Sequence, residues 1–199
     1  LVKLLLGYFA PTSGNIFLGD TPLQDYDMTS WRHSCGVVLQ DSHVFSESLA
    51  RNIAVEDKHI DRTRLRTAAR QANLEEFIEK LPLKYQTMVG AEGVGLSRGQ
   101  EQRIFIARAL YKDPSFVFLD EATNSLDANN ERIITGNLLD FCKGRTVLIV
   151  AHRLSTIRHA DKIVVLHKGR IVEEGTHDEL CARHGHYYEL INNQLIAMG

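Results

Sequence analysis

Two carboxylates, Asp120 and Glu121, stand side by side directly after the fully apolar run Phe116-Val117-Phe118-Leu119. Gly36-Val37-Val38-Leu39 is a second such run, with the amide Gln40 behind it. Val147-Leu148-Ile149-Val150 is a third, followed by Ala151 and His152. Short apolar runs without polar alternation predict strands buried on both faces, hence a parallel sheet covered by helices. Such sheets bind ligands outside the carboxyl ends of their strands. Gln40, Asp120, Glu121 and His152 are therefore expected to meet at one sheet edge. The chemistry open to them is that of a metal-phosphate site. One carboxylate can hold Mg²⁺, while its neighbour, pointing differently, faces a nucleophilic water. Taken alone, the two acids read more simply as a solvated opening to the turn that follows.

A second cluster is Leu96-Ser97-Arg98-Gly99-Gln100. Ser97 with Gln100 three residues on fits a capping box at a helix start. An ordinary well-started helix is one reading. The other is an anion site, since Gly99 lets backbone approach a ligand closely and the helix dipole favours negative charge there. Ser97, Arg98 and the free N–H groups could then face a phosphate.

The elements that must position these residues are legible around them. Leu1 to Phe9 is apolar nearly all round, with Lys3 its one charge and Gly7 its one break. It predicts a helix entered part-way, without a capping residue ahead of it. Pro11-Thr12-Ser13-Gly14 is a turn, and Ile16 to Leu18 a short strand. Leu65, Ala68, Ala69 and Ala72 keep helical spacing. Asn73 with Glu76 predicts the cap of a further helix, stopped by Pro82. A glycine-rich loop with Gly90, Gly93 and Gly95 leads to the helix starting near Ser97. Glu131 to Cys142 reads as helix. Ile163 to Leu166 turns at Lys168-Gly169 into Arg170-Ile171-Val172. The helical stretch is too long for one crossover, so residues 41–111 read as a helical subdomain inserted into an α/β core of 1–40 and 112–199.

Composition narrows the class. The 199 residues carry a net charge of −2, with 44% hydrophobic and 24% charged residues, ordinary for a globular domain. That balance gives no nucleic-acid footprint, and no apolar run approaches the ~18 residues of a spanning helix. Cys35, Cys142 and Cys181 are far apart and form no CxxC pair, which points away from zinc and disulfides and toward a reducing compartment. Of nine histidines, His184 and His186 lie close together, but no carboxylate or thiol pattern completes a metal site, so they are expected in solvent.

LSRGQ, then FLDEATNSLD, then AHRLSTI, in that order and over essentially the whole chain, resembles the ATP-binding cassette of ABC transporters. The resemblance implies a P-loop NTPase-type parallel sheet covered by helices. It implies that Gln40 is the Q-loop glutamine and Leu96 to Gln100 the signature motif. Phe116 to Asp120 becomes the Walker B strand, Glu121 the catalytic carboxylate, Ser125-Leu126-Asp127 the D-loop and His152 the switch histidine. It also explains the opening. In this family a GKS/T loop runs directly into a helix like LVKLLLG, so the chain is expected to begin just after that loop, and no GxxxxGK[ST] occurs downstream. The chain as written is then expected to be inactive alone. Two departures stand out: Arg98-Gly99 where the signature has a glycine pair, and Ala91 where the loop before it has Glu.

The implied function is ATP hydrolysis powering an exporter, with ATP and Mg²⁺ as ligands. The resemblance leans toward the bacterial peptidase-containing exporters of peptides and bacteriocins. The implied partners are a second nucleotide-binding domain, head to tail, whose Ser97, Arg98, Gly99, Gln100 and Asp127 region completes the first domain's site, and transmembrane domains. Asp120 and Gln40 would serve the metal, and the place would be the cytoplasmic face of the cell membrane. The rival readings are a non-transport ABC ATPase and an inactive regulatory fragment. The short span between Gln40 and Ser97 disfavours the coiled-coil DNA-repair type.

Overall fold

The computed structural model describes residues 1–151 and 157–197. They fall into two compact units, 1–148 and 149–199.

The first unit opens with α1 (Val2–Leu5). This helix is shorter than the apolar run Leu1–Phe9 predicts, and Gly7 is the reason. At φ 66° it takes the left-handed turn that glycine tolerates. Tyr8 N–H then donates to Lys3 O (2.9 Å) and Gly7 N–H to Leu4 O (3.0 Å), the paired bonds of a Schellman stop. A small antiparallel ribbon follows, β1 (Phe17–Leu18) and β2 (Thr21–Pro22), then α2 (Met28–His33), capped by Asp27 accepting from Ser30 N–H. Trp31 of α2 is buried. Its indole N–H donates to Leu5 O (2.9 Å), which satisfies the one polar atom of the ring.

Next come β3 (Cys35–Val38), α3 (Leu49–Ile53), α4 (Arg62–Gln71), α5 (Glu75–Glu79) and α6 (Arg98–Lys112). The spacing Leu65, Ala68, Ala69, Ala72 does face inward, and all four are buried. Asn73 departs from its predicted role as a cap. It closes α4 in the left-handed region at φ 52°, and α5 starts after Leu74 with no side-chain cap. Glu76 instead pairs with Lys80 at 2.6 Å. The physical reason is that its backbone is left-handed rather than in the extended conformation an N-cap takes, while its Nδ2 donates to Asn130 Oδ1 at 2.7 Å.

α6 is the central helix of the unit and buries Ile104, Phe105, Ile106, Ala107, Ala109, Leu110 and Tyr111. It packs on α3, α4 and β3. β4 (Phe116–Asp120) runs parallel to β3, with Cys35 opposite Phe116 and Val38 opposite Leu119. α7 (Ala128–Cys142) follows, and β5 (Thr146–Val150) completes the strand order β3-β4-β5. The three apolar runs are thus the three strands of one sheet.

In the second unit β6 (Ile163–His167) and β7 (Arg170–Gly175) form an antiparallel hairpin with a register shift between Val165 and Leu166. α8 (His177–Arg183) and α9 (His186–Ala197) cover one face. Ile163, Val165, Leu180, Tyr187 and Ile191 make its core. Thr176 and Glu179 form a reciprocal capping box on α8. The Glu173 carboxylate of β7 accepts the N–H groups of His186 (3.0 Å) and Tyr187 (2.9 Å) and so caps α9. His184 and His186 are exposed, as the sequence predicts.

Candidate nucleotide site

The parallel register decides where the predicted residues go. Val38 is opposite Leu119, so the chain beyond these positions leaves both strands at their carboxyl ends. Gln40 is the second residue past Val38, and Asp120 and Glu121 are the two past Leu119. Gln40 is exposed, while Asp120 and Glu121 are half-buried. Three of the four residues expected at one sheet edge are therefore on neighbouring strand ends. His152 lies outside the described residues.

Glu121 holds φ 52°, a left-handed conformation that costs a non-glycine residue about 1–2 kcal/mol. The turn it starts is closed by Asn124, whose N–H donates to Glu121 O (3.2 Å) and whose Nδ2 donates to Glu121 Oε2 (2.6 Å). Adjacent carboxylates on a strand end and in a left-handed turn leave the backbone in different directions, as a division between metal holder and water-facing base requires.

Lys3 joins this edge from α1. Its ammonium meets Asp41, next to Gln40, at 2.6 Å. The Asp41 hydrogen bond raises the Lys3 pKa, with a smaller contribution from the Asp120 charge. The same bond lowers the Asp41 carboxyl.

The capping box at Ser97 forms as predicted. Gln100 N–H donates to Ser97 Oγ (3.2 Å), and Ser97 N–H donates to Gln100 Oε1 (2.8 Å). Ser97 and Arg98 are exposed, and Arg98 has no ion pair among the described residues. This helix start packs against the turn that follows the carboxylates. A Cβ on Gly99 would stand 3.3 Å from Ser125 O, and Gln102 Nε2 donates to Ala122 O (2.8 Å). Asp127 caps α7, accepting from Asn130 N–H (3.0 Å) and Asn130 Nδ2 (2.5 Å). The Asn130 backbone N–H is the main cause holding the Asp127 carboxyl below the usual range.

The segment after Gln40 is pinned by Asn52, which is fully buried. Its Oδ1 accepts from Phe45 N–H (2.8 Å), and its Nδ2 donates to Phe45 O (3.0 Å) and Glu47 O (3.2 Å). A cavity of about 410 Å³ lies between this segment and the glycine-rich loop, lined by Ser42, His43, Gly90, Ala91, Leu96 and Glu101. Arg108 reaches the same segment from α6, donating to Asn52 O (2.9 Å), and burial pushes its pKa down to about 10.

Lys3, Asn52 and Asn130 are site residues that the motifs do not single out. Lys3 carried a signal as the one charge in an apolar run. Asn52 carried another, a polar residue on the face of α3 that Leu49 and Ile53 make apolar. Asn130 shows only its local place after the Asp127 cap, because its other partners, Asn73 and Arg103, are remote in sequence.

The donor set at the strand ends, a carboxylate and an amide oxygen, suits the hard cation Mg²⁺. Comparison with known proteins bears on the family and the fold. The ABC transporter family profile matches residues 1–124. The ATP-dependent lipid A-core flippase of Chromohalobacter salexigens is 45% identical over 190 residues, covering 96% of this chain and 33% of that protein. The toxin RTX-I translocation ATP-binding protein of Actinobacillus pleuropneumoniae is 45% identical over 182 residues, covering 92% of this chain and 26% of that protein. A bacterial Atm1-family ABC exporter with ATP bound superposes with a TM-score of 0.93 at 37% identity, over 98% of this chain and 34% of that one. The chain thus spans about a third or less of the length of these relatives.

Proposed function

Because this chain belongs to the ABC transporter family, we propose that it is the ATP-hydrolysing domain of an exporter, acting at the cytoplasmic face of a membrane. The observation that carries the reading is the parallel register that sends Gln40, Asp120 and Glu121 to neighbouring strand ends. Asp120 and Gln40 would hold Mg²⁺, which when bound would offset charge on the phosphates. Glu121 accepts a proton from the attacking water. Asn124 orients the Glu121 carboxylate through its 2.6 Å bond. In this reading His152 serves as the contact to the terminal phosphate.

In this reading two copies associate head to tail. Each presents Ser97, Arg98, Gly99 and Gln100 to the nucleotide of the other, with Asp127 at the adjoining turn. The exposure of Ser97 and Arg98 at a helix N-terminus supports this. Residues 41–111 act as the helical subdomain, and the cavity beside His43 and Ala91 receives a segment of the membrane-spanning domains. The relatives' names cover a lipid A-core flippase and a toxin translocation protein. We take a peptide-like cargo from the second, with selection made by membrane helices outside this chain.

The test is Glu121→Gln in the full-length protein. Nucleotide binding should persist while turnover falls by roughly 10²–10⁴. Turnover near wild type would remove Glu121 from the role of base.

A further inference from the structure

Arg103 lies on the first turns of α6, just beyond the Ser97 cap, and is half-buried. Its partners come from three segments. Nε donates to Gly99 O (3.2 Å) in its own helix. Nη1 donates to Asn73 O (2.6 Å) at the junction of α4 and α5, and to Asn130 Oδ1 (3.4 Å) at the start of α7. All three acceptors are neutral. A half-buried guanidinium bound to carbonyl oxygens from separate elements fixes geometry rather than neutralising a charge.

Asn130 is the hub. Its Oδ1 also accepts Asn73 Nδ2 at 2.7 Å, which occupies both of its lone pairs, and its Nδ2 is committed to Asp127 Oδ2 at 2.5 Å. The amide has one orientation that serves all three groups. Asn73 reaches both partners from a left-handed backbone, a conformation that persists where surrounding contacts over-determine it. Beside this network, Gln102 holds Ala122 O and Gly99 backs onto Ser125 O.

We propose that Arg103 and Asn130 are positioning residues forming a latch within one protomer, which holds the Ser97–Gln100 helix start and the Ser125–Asp127 turn as one body. The inference rests on the head-to-tail reading above. It adds that the groups one copy presents to the other's nucleotide arrive as a pre-aligned pair, and that this alignment is set by a hydrogen-bond network that touches no nucleotide.

The experiment uses Arg103→Met, Arg103→Lys, Asn130→Ala and the double variant Arg103→Met/Asn130→Ala in the full-length protein. Single-copy nucleotide affinity, measured with Glu121→Gln added, should stay within about twofold, while turnover falls about tenfold in each single variant. The double variant should be no worse than the worse single one, because the two act as a unit. Arg103→Lys should resemble Arg103→Met, since lysine keeps the charge and loses the fork. Multiplying effects, or rescue by lysine, would overturn the latch. Hydrogen exchange supplies a readout independent of dimerisation. Arg103→Met should speed exchange in the first two turns of both α6 and α7, and acceleration confined to α6 would also overturn it. If Ser97→Arg leaves nucleotide-driven dimerisation unchanged, the head-to-tail reading fails, and the exchange result still decides the latch.

Discussion

Asn124 Nδ2 donates a 2.6 Å hydrogen bond to Glu121 Oε2 across a turn that Glu121 itself enters with a left-handed backbone. The residue read as catalytic base is thus held twice, by backbone conformation and by its carboxylate. Asn124→Ala should lower turnover about tenfold, the scale of a hydrogen bond to a charged group, with nucleotide affinity unchanged. Steady-state kinetics beside equilibrium nucleotide binding separates the two quantities, and an equal loss in both would remove Asn124 from an orienting role.

The backbone half of that arrangement has its own signature. At an ordinary strand end alanine is the more stabilising residue, but at φ 52° glycine is. Glu121→Gly should be more stable than Glu121→Ala by about 1 kcal/mol. Denaturant melts of the two variants check this without reference to catalysis.

Ser97 combines two roles that one substitution separates. Asp is as good an N-cap as Ser, so Ser97→Asp should leave thermal stability close to wild type. Its negative charge would then face a partner's phosphates, and nucleotide-driven dimerisation should collapse. Calorimetry and a sizing experiment with and without ATP read the two effects. Dimerisation at wild-type strength would exclude Ser97 from contact with phosphate.

Asn52 is fully buried and satisfies backbone groups of Phe45 and Glu47. Asn52→Leu leaves those groups unpaired and should cost about 2–3 kcal/mol. Asn52→Asp should cost more, since it sets a carboxylate against carbonyl oxygens. Urea unfolding of each variant is the measurement, and a change under about 0.5 kcal/mol, the level of an unremarkable surface site, would contradict the assignment.

Asp127 gives a pH dependence of defined sign. Its folded pKa is depressed, chiefly by the Asn130 N–H. Its stabilising effect is therefore fully present above the ordinary carboxylate pKa, about 3.9, and is lost as pH falls through the lower folded value. Asp127→Asn still caps but carries no charge. The gap in melting temperature between wild type and Asp127→Asn should hold steady from neutrality to about pH 5 and shrink below about pH 4. A constant gap throughout would show that the cap does not titrate.

The sheet was legible because each of its strands is a run of apolar residues too uniform for a surface, and Gln40 and Asp120–Glu121 could be placed by counting from those runs. The Ser97–Gln100 box was legible because both partners lie within one turn. Asn73 shows where such counting stops. Its local sequence satisfies a capping rule, but Asn130 and Arg103 approach it from elements distant in the chain, and the remote bonds win over the local one. Asn130 shows locally only as part of the Asp127 cap, and its bonds to Asn73 and Arg103 leave no local trace. Lys3 was visible as a charge, and its partner Asp41 was not, because the contact depends on how α1 lies beside the end of β3.

In the second unit, a single carboxylate on β7 supplies the acceptors for the first two N–H groups of α9. Displacing the hairpin would leave both N–H groups without their acceptor and pull Tyr187 and Ile191 away from Ile163 and Val165. The last helix is thus tied to the hairpin both through this cap and through the shared apolar core. The amides of α9 and of β6–β7 should then share one opening event, and a label that enters the helix should enter the strands at the same rate.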